Sequence, residues 1–265
     1  MDILKNQTLA THTTMRLGGN ASCMVECHTE DDLREAVQYA QANTLRIMVL
    51  GSGSNIVFGD AGFDGLVILN EIIGVTVDAT TGKVSAKSGT NWDEFVKTCV
   101  ENNLAGIEAL SLIPGTVGAS PVNNIGAYGQ EVKDTITHVR ALDTTTLQYI
   151  ELANADCQFN YRNSIFKSTA YGRYIITEVF FQLTPASDTY IAPHYASLQT
   201  ALQNQGITQP TIHNVRDIVI AIRQAKLPDP AVLPNTGSFF KNPIVSQEKC
   251  DELLQKYPAM PYFAH

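Results

Sequence analysis

The chain has 265 residues, 44% of them hydrophobic and 17% charged, with a formal net charge of −8. That is enough chain for two or three small domains with real cores. The acidic balance excludes a general nucleic-acid binder, which needs a basic face. The N-terminus "MDILKNQTLATHTTM" lacks a basic start followed by an apolar run, and no stretch is long and apolar enough to span a bilayer, so a cytoplasmic protein is expected.

"CMVECH" alternates as a strand does. Thr29 then caps a helix over "EDDLREAVQYAQAN", with Leu33, Ala36, Val37 and Ala40 on one face and acids in the first turn. "RIMVL" reads as a buried strand, "GSGSN" breaks it, and "IVF" reads as extended again. "GLVILN", "GVTVDA" and "KVSAKSG" continue as strands. A second helix starts after Thr90 and buries Trp92, Phe95, Val96, Cys99 and Val100. A long Gly-, Pro- and Asn-rich segment follows, "LAGIEALSLIPGTVGASPVNNIGAYGQE"; a loop of that length in a compact domain is usually functional. "HVRALD", "QYIELA" and "RYIITEVFFQLT" return to strands. Three helices close the chain: "PHYASLQTALQNQG", "VRDIVIAIRQAKL" capped by Asn214, and "SQEKCDELLQKY" capped by Ser246. This order predicts an α+β fold of subdomains, with a boundary near Asn204–Pro210.

Five cysteines, an odd and sparse set, argue against a disulfide framework. Cys23, Cys27 and His28 lie close in sequence, but no second ligand pair follows at zinc-like spacing, so buried thiols and a surface histidine are expected rather than a metal.

"VLGSGSNIVFGD" holds Gly51-x-Gly53, yet Ile56 stands where a dinucleotide fingerprint needs a third small residue. Its backbone N–H groups would still form an anion nest. With the second Gly-rich segment, it points to a nucleotide cofactor. "PNTGSFFKNP" places Ser238 between Gly237 and two phenylalanines, in a G-S-F context that is not the nucleophile elbow of a hydrolase.

Five stretches, in this order and spacing, resemble the UDP-N-acetylenolpyruvoylglucosamine reductase family, in its type I branch: "LGSGSN" (50–55), "GIEALSLIPGTVGASPVNNIGAYGQE" (106–131), "YRNSIFK" (161–167), "KLPDP" (226–230) and "NTGSFFKNP" (235–243). The resemblance implies a two-subdomain FAD-binding fold of the vanillyl-alcohol-oxidase/PCMH type plus a partial α+β substrate-binding domain. The expected divisions are 1–70, 71–208 and 209–265. It implies non-covalent FAD, reduction by NADPH, and hydride transfer from flavin N5 to UDP-N-acetylglucosamine enolpyruvate. The product is UDP-N-acetylmuramate for peptidoglycan synthesis.

Residue by residue, the resemblance implies that Arg162 grips the substrate carboxylate and Ser238 protonates the carbanion. Tyr195, Lys226 and Asn242 would hold the UDP portion. FAD would contact Leu50, Gly51, Ser52, Gly53, Ser54 and Asn55 in the first loop. In the second it would contact Pro114, Gly115, Thr116, Gly118, Ala119, Ser120, Asn124, Gly126, Ala127 and Tyr128. A monomer with no nucleic-acid or membrane partner is expected. The family's catalytic glutamate lies in a C-terminal stretch beyond "YPAMPYFAH", and no carboxylate of this sequence takes that role. The alternative reading is therefore a flavin- or nucleotide-binding homologue without turnover.

Overall fold

A computed structural model describes residues 1–187, 189–238 and 240–263. The first layer is a four-stranded sheet of β1 (Leu4–Thr8), β2 (Asn20–Cys27), β3 (Ile47–Leu50) and β4 (Phe63–Asn70), in the order β1-β2-β4-β3. β2, β3 and β4 run parallel, and β1 pairs antiparallel with β2. Helix α1 (Glu30–Ala42) crosses between β2 and β3. Its Thr29 side chain accepts from Asp32 N–H while Asp32 accepts from Thr29 N–H, a reciprocal capping box. Leu33, Ala36, Val37 and Ala40 are buried on Cys23, Val25, Leu66 and Ile68. β4 is buried along both faces, because α1 covers one and Leu9, Met24 and Phe58 the other.

The second layer begins with β5 (Val75–Asp78) and β6 (Lys83–Lys87), followed by helix α2 (Trp92–Glu101). Asn91, not Thr90, is its cap, accepting from Glu94 N–H. Short β7 (Leu104–Ala105) opens the Gly-rich segment. Inside that segment only β8 (Gly126–Ala127) and β9 (Gln130–Glu131) pair, as a hairpin. β10 (Ile136–Asp143), β11 (Tyr149–Ala153) and β12 (Tyr174–Gln182) complete an antiparallel sheet in the order β11-β10-β12-β6-β5; β13 (Thr184–Pro185) pairs with β7. Trp92, Phe95 and Phe181 cluster between α2 and this sheet, with ring centroids 5.0–6.3 Å apart.

The two layers meet along α1. Leu142 and Ile175 of the second sheet join the α1 core, and Gln41 donates to Thr144 O at 2.6 Å. Asn70, buried at the end of β4, donates to Ile176 O at 3.0 Å and accepts from Ser88 Oγ at 2.8 Å.

Helices α3 (Ala196–Asn204) and α4 (Ile212–Lys226) pack against each other and against Ala109. Sequence reading places the α4 cap at Asn214. The structure moves it to Thr211, with Asn214 at the third helical position, answering it in a capping box. Either polar residue suits a cap; Ile212, buried, draws the first turn one residue earlier onto the core. α5 (Gln247–Lys256) is capped by Ser246 and buries no residue. Two further expectations change. Residues 56–58 carry no strand, and β1, whose residues are largely exposed and do not alternate, had no signal. Among the described residues no helix is long and apolar enough to cross a membrane.

Cys23, Cys27, Cys99 and Cys157 are buried thiols, and burial pushes Cys27, Cys99 and Cys157 up to about 12. His28 is exposed, between Glu26 and Glu71.

Candidate functional site

The loop after β3 and the segment after α2 face each other across the two layers. Gly53 has a left-handed φ of +63°, and a Cβ there would lie 2.0 Å from His12 O, so only glycine allows the approach. A Cβ on Gly51 would meet Thr116 Oγ1 at 2.7 Å. Ser54 Oγ donates to Pro114 O at 3.0 Å, and Asn123 donates to Asn55 Oδ1 at 2.8 Å. Trp92 N–H donates to Gly115 O and Gly118 N–H to Ser88 O, which zips residues 115–118 onto the start of α2.

Within this opposed pair, the backbone N–H groups of Ser52, Gly53, Ser54 and Asn55 find no acceptor among the described residues. A run of unsatisfied N–H donors beside close-approach glycines suits the phosphates of a dinucleotide. The residues present therefore fit FAD.

Further along, Ser120 and Asn124 are buried. Asn124 donates to Glu131 Oε2 and to Asn160 O, both at 3.1 Å, fixing the β8–β9 hairpin beside residues 160–163. Those four residues form a turn closed by reciprocal Asn160–Asn163 bonds of 3.0 Å, with Arg162 at φ +51°. Arginine rarely adopts that backbone, and such strain gathers at functional positions. Arg162 Nη2 donates to Gly126 O at 2.7 Å, which leaves most of its donors open. For Glu131, burial raises the carboxyl pKa. Lys133 at 2.6 Å, Asn124 and the Arg162 charge outweigh that and hold it below its ordinary value.

Lys241 Nζ lies 5.4 Å from the Tyr161 ring centroid and Arg162 Cζ 5.6 Å from it. The segment after Ser238 thus reaches the Arg162 turn. Lys167 donates to Asn123 Oδ1 at 2.7 Å. Burial, then the charges of Lys241 and Arg162, push its ammonium pKa down. Three cations around one tyrosine make a field that favours an anion.

Ser238 itself is exposed, and Phe240 is 86% exposed. A narrow, dry setting for the hydroxyl is expected from sequence, and the described residues do not provide one; Phe239 lies outside them. The reason is that this segment is tied down upstream, by Thr14 Oγ1 donating to Asn235 O at 2.7 Å and Arg16 donating to Ala231 O at 2.6 Å. Tyr195 meets Tyr128 edge-on, with centroids 5.4 Å apart. Lys226, in the last turn of α4, and Asn242 are exposed and join no contact with the others.

Sequence reasoning missed Arg216 and Arg223. They are seven residues apart on α4 and so share a face. Arg216 grips Asp93 with two bonds of 2.8 and 3.0 Å, and Arg223 donates to Leu112 O at 3.3 Å and sits beside the Tyr128 hydroxyl. Their seven-residue spacing was the available signal, but the partners were visible only in the fold.

The opposed loops and two-layer architecture define a flavoprotein of the vanillyl-alcohol-oxidase/PCMH type. Residues 21–147 match the FAD binding domain family. A UDP-N-acetylenolpyruvoylglucosamine reductase from Ralstonia nicotianae (strain ATCC BAA-1114 / GMI1000) is 43% identical over 262 residues, covering 97% of this chain and 76% of the relative. The chain belongs to the UDP-N-acetylenolpyruvoylglucosamine reductase family. Two solved structures agree in fold. The reductase from Thermus caldophilus superposes with a TM-score of 0.65 at 22% identity, over 95% of this chain and 79% of that one. The 6-hydroxy-D-nicotine oxidase from Arthrobacter nicotinovorans gives 0.52 at 19%, over 71% and 43%.

Proposed function

We propose that this protein reduces UDP-N-acetylglucosamine enolpyruvate to UDP-N-acetylmuramate with electrons from NADPH. The observation that supports it best is the placement of a strained, cation-flanked Arg162 beside a pair of opposed glycine loops suited to FAD. FAD, when bound and reduced, supplies hydride from N5. The loop 50–55 and the segment 114–128 would hold it.

Addition of hydride to the enolpyruvyl group leaves charge that spreads into the substrate carboxylate. Arg162 keeps its charge and presents paired donors, so it would grip that carboxylate and stabilise the charge as it develops. Ser238 would return a proton to the carbanion carbon. Lys241, on the same segment and near Arg162, would make that hydroxyl more acidic. Tyr195, Lys226 and Asn242 would hold the UDP portion. We take 1–70 and 71–208 as the flavin subdomains and 209–265 as the substrate side, in a cytoplasmic monomer.

A second reading, flavin binding without turnover, is favoured by the exposure of Ser238 and by its lack of a hydrogen-bond partner among the described residues. One anaerobic experiment separates the two. NADPH should bleach the flavin, and enolpyruvyl substrate should restore its colour. Bleaching without recovery supports the second reading; no flavin uptake rejects both. In Ser238→Ala, bleaching should persist and recovery should be lost. Unchanged turnover in that variant would remove Ser238 from the mechanism.

A further inference from the structure

The β8–β9 hairpin, residues 126–131, touches more of the site than any other element of its size. Arg162 Nη2 donates to Gly126 O at its root. Its turn is Tyr128 and Gly129, with φ +49° and +84°. Tyr128 meets Tyr195 edge-on, and a Cβ on Gly129 would lie 3.5 Å from His194 O and 3.6 Å from Pro193 Cβ. At the far strand, Gln130 donates to Glu108 Oε1 at 2.7 Å and accepts from Ala109 N–H at 2.8 Å. The same Glu108 oxygen accepts from the Tyr190 hydroxyl at 2.7 Å, and Glu108 is 1% exposed. The segment 190–195 is thus fastened to this hairpin, or to its buried glutamate partner, at both ends. Between them Ile191 is 87% exposed.

We propose that the hairpin is the mount that sets Tyr195 against Arg162, with Tyr128 as the positioning residue. This rests on the reading of Tyr195 as a substrate-binding residue. A left-handed turn normally takes glycine or asparagine, and here the chain holds a tyrosine in that conformation. Its ring is the part that reaches Tyr195, and Arg223 from α4 flanks its hydroxyl. Removal of the ring frees one end of the 190–195 segment while Glu108 keeps the other.

The test uses the full, FAD-loaded chain with Tyr128→Leu and Tyr128→Phe, and flavin content is measured in each. Tyr128→Leu should raise KM for the enolpyruvyl substrate roughly 3- to 10-fold, the range of an aromatic pair, with a smaller change in kcat. Tyr128→Phe should restore KM to within about twofold, because the ring is kept. Amide exchange over residues 191–195 should quicken in Tyr128→Leu and not in Tyr128→Phe. Wild-type exchange and KM in Tyr128→Leu would overturn the proposal, as would equal damage in both variants, which would assign the effect to the hydroxyl and Arg223. If Tyr128→Leu does not fold, Tyr195→Leu removes the other ring and should quicken the same amides; protection unchanged there overturns the proposal too. A wild-type protein that never turns over the substrate sinks the functional reading alone, and the exchange measurement still decides the positioning.

Discussion

Arg162 shows how one side chain is set by its backbone. The turn 160–163 holds it at φ +51°, and Gly126 O takes one of its donors. Lysine in its place would keep the charge but not the planar fork, so it cannot bond Gly126 O and a carboxylate at once in the same geometry. Arg162→Lys is expected to lower kcat/KM for the enolpyruvyl substrate by about 10²–10³, while flavin reduction by NADPH continues; stopped-flow traces of the two half-reactions separate them. The Asp93–Arg216 pair is a structural counterpart. Burial pushes Asp93 up in pKa, but Arg216 and the Leu112 N–H outweigh it and hold the carboxyl below its ordinary value. Asp93→Ala strands Arg216, whose side chain is 10% exposed, at a cost of about 3–5 kcal/mol. Because the folded value is depressed, the stabilisation is full above the unfolded value near 4 and is lost as pH falls through the folded value. The gap in Tm between wild type and Asp93→Ala should therefore be constant at neutral pH and narrow below about pH 4. A gap independent of pH would remove the charge from the explanation.

Among the elements, the loop after β3 carries the sharpest steric demand. Gly53→Ala would place a methyl 2.0 Å from His12 O in a left-handed backbone, with Thr13 Cα also at 2.8 Å. The loop must move away from residues 12–14, and with it the free N–H groups of 52–55. Flavin affinity is expected to drop at least tenfold, the equivalent of about 1.4 kcal/mol, while far-UV circular dichroism stays the same. Wild-type affinity in this variant would mean that the loop does not hold the cofactor. That glycine pair was legible from sequence as a nest, as was the α1 cap, because both are local chemistry. The α2 face was legible for the same reason: Trp92, Phe95, Val96, Cys99 and Val100 are all buried. β1 was not legible, since its pairing with β2 is supplied by the partner strand rather than by its own exposed residues. The meeting of Lys241 with Tyr161 was not legible either, because 80 residues separate them and only the fold closes that distance.

On the scale of the whole molecule, the cleft exists because two layers are fixed against each other, and that fixing passes through few polar groups. Glu30 on α1 receives Arg140 at 3.1 Å and faces Lys87 at 3.8 Å, which in turn binds Glu178 at 2.6 Å; the Tyr149 hydroxyl donates to Glu30 O. Asn70 is the most buried of these ties. It ends the strand that leads out of the first layer, and its amide reaches both Ile176 O in β12 and Ser88 Oγ. Ser88 also accepts Gly118 N–H at its carbonyl, so the tie continues into the segment that faces the 50–55 loop. Asn70→Ala leaves a buried carbonyl and a buried hydroxyl without partners, a loss of about 1–3 kcal/mol. For a chain of this size, that lowers Tm by roughly 2–12 °C. If the tie only adds stability, flavin affinity measured well below Tm should match wild type. If it also sets the distance between the loops, affinity should fall even where the variant is fully folded. We expect the second outcome, because Asn70 and Ser88 lie on the covalent paths into both walls of the cleft. Asn70→Ala with reduced Tm and wild-type flavin affinity would confine its role to stability.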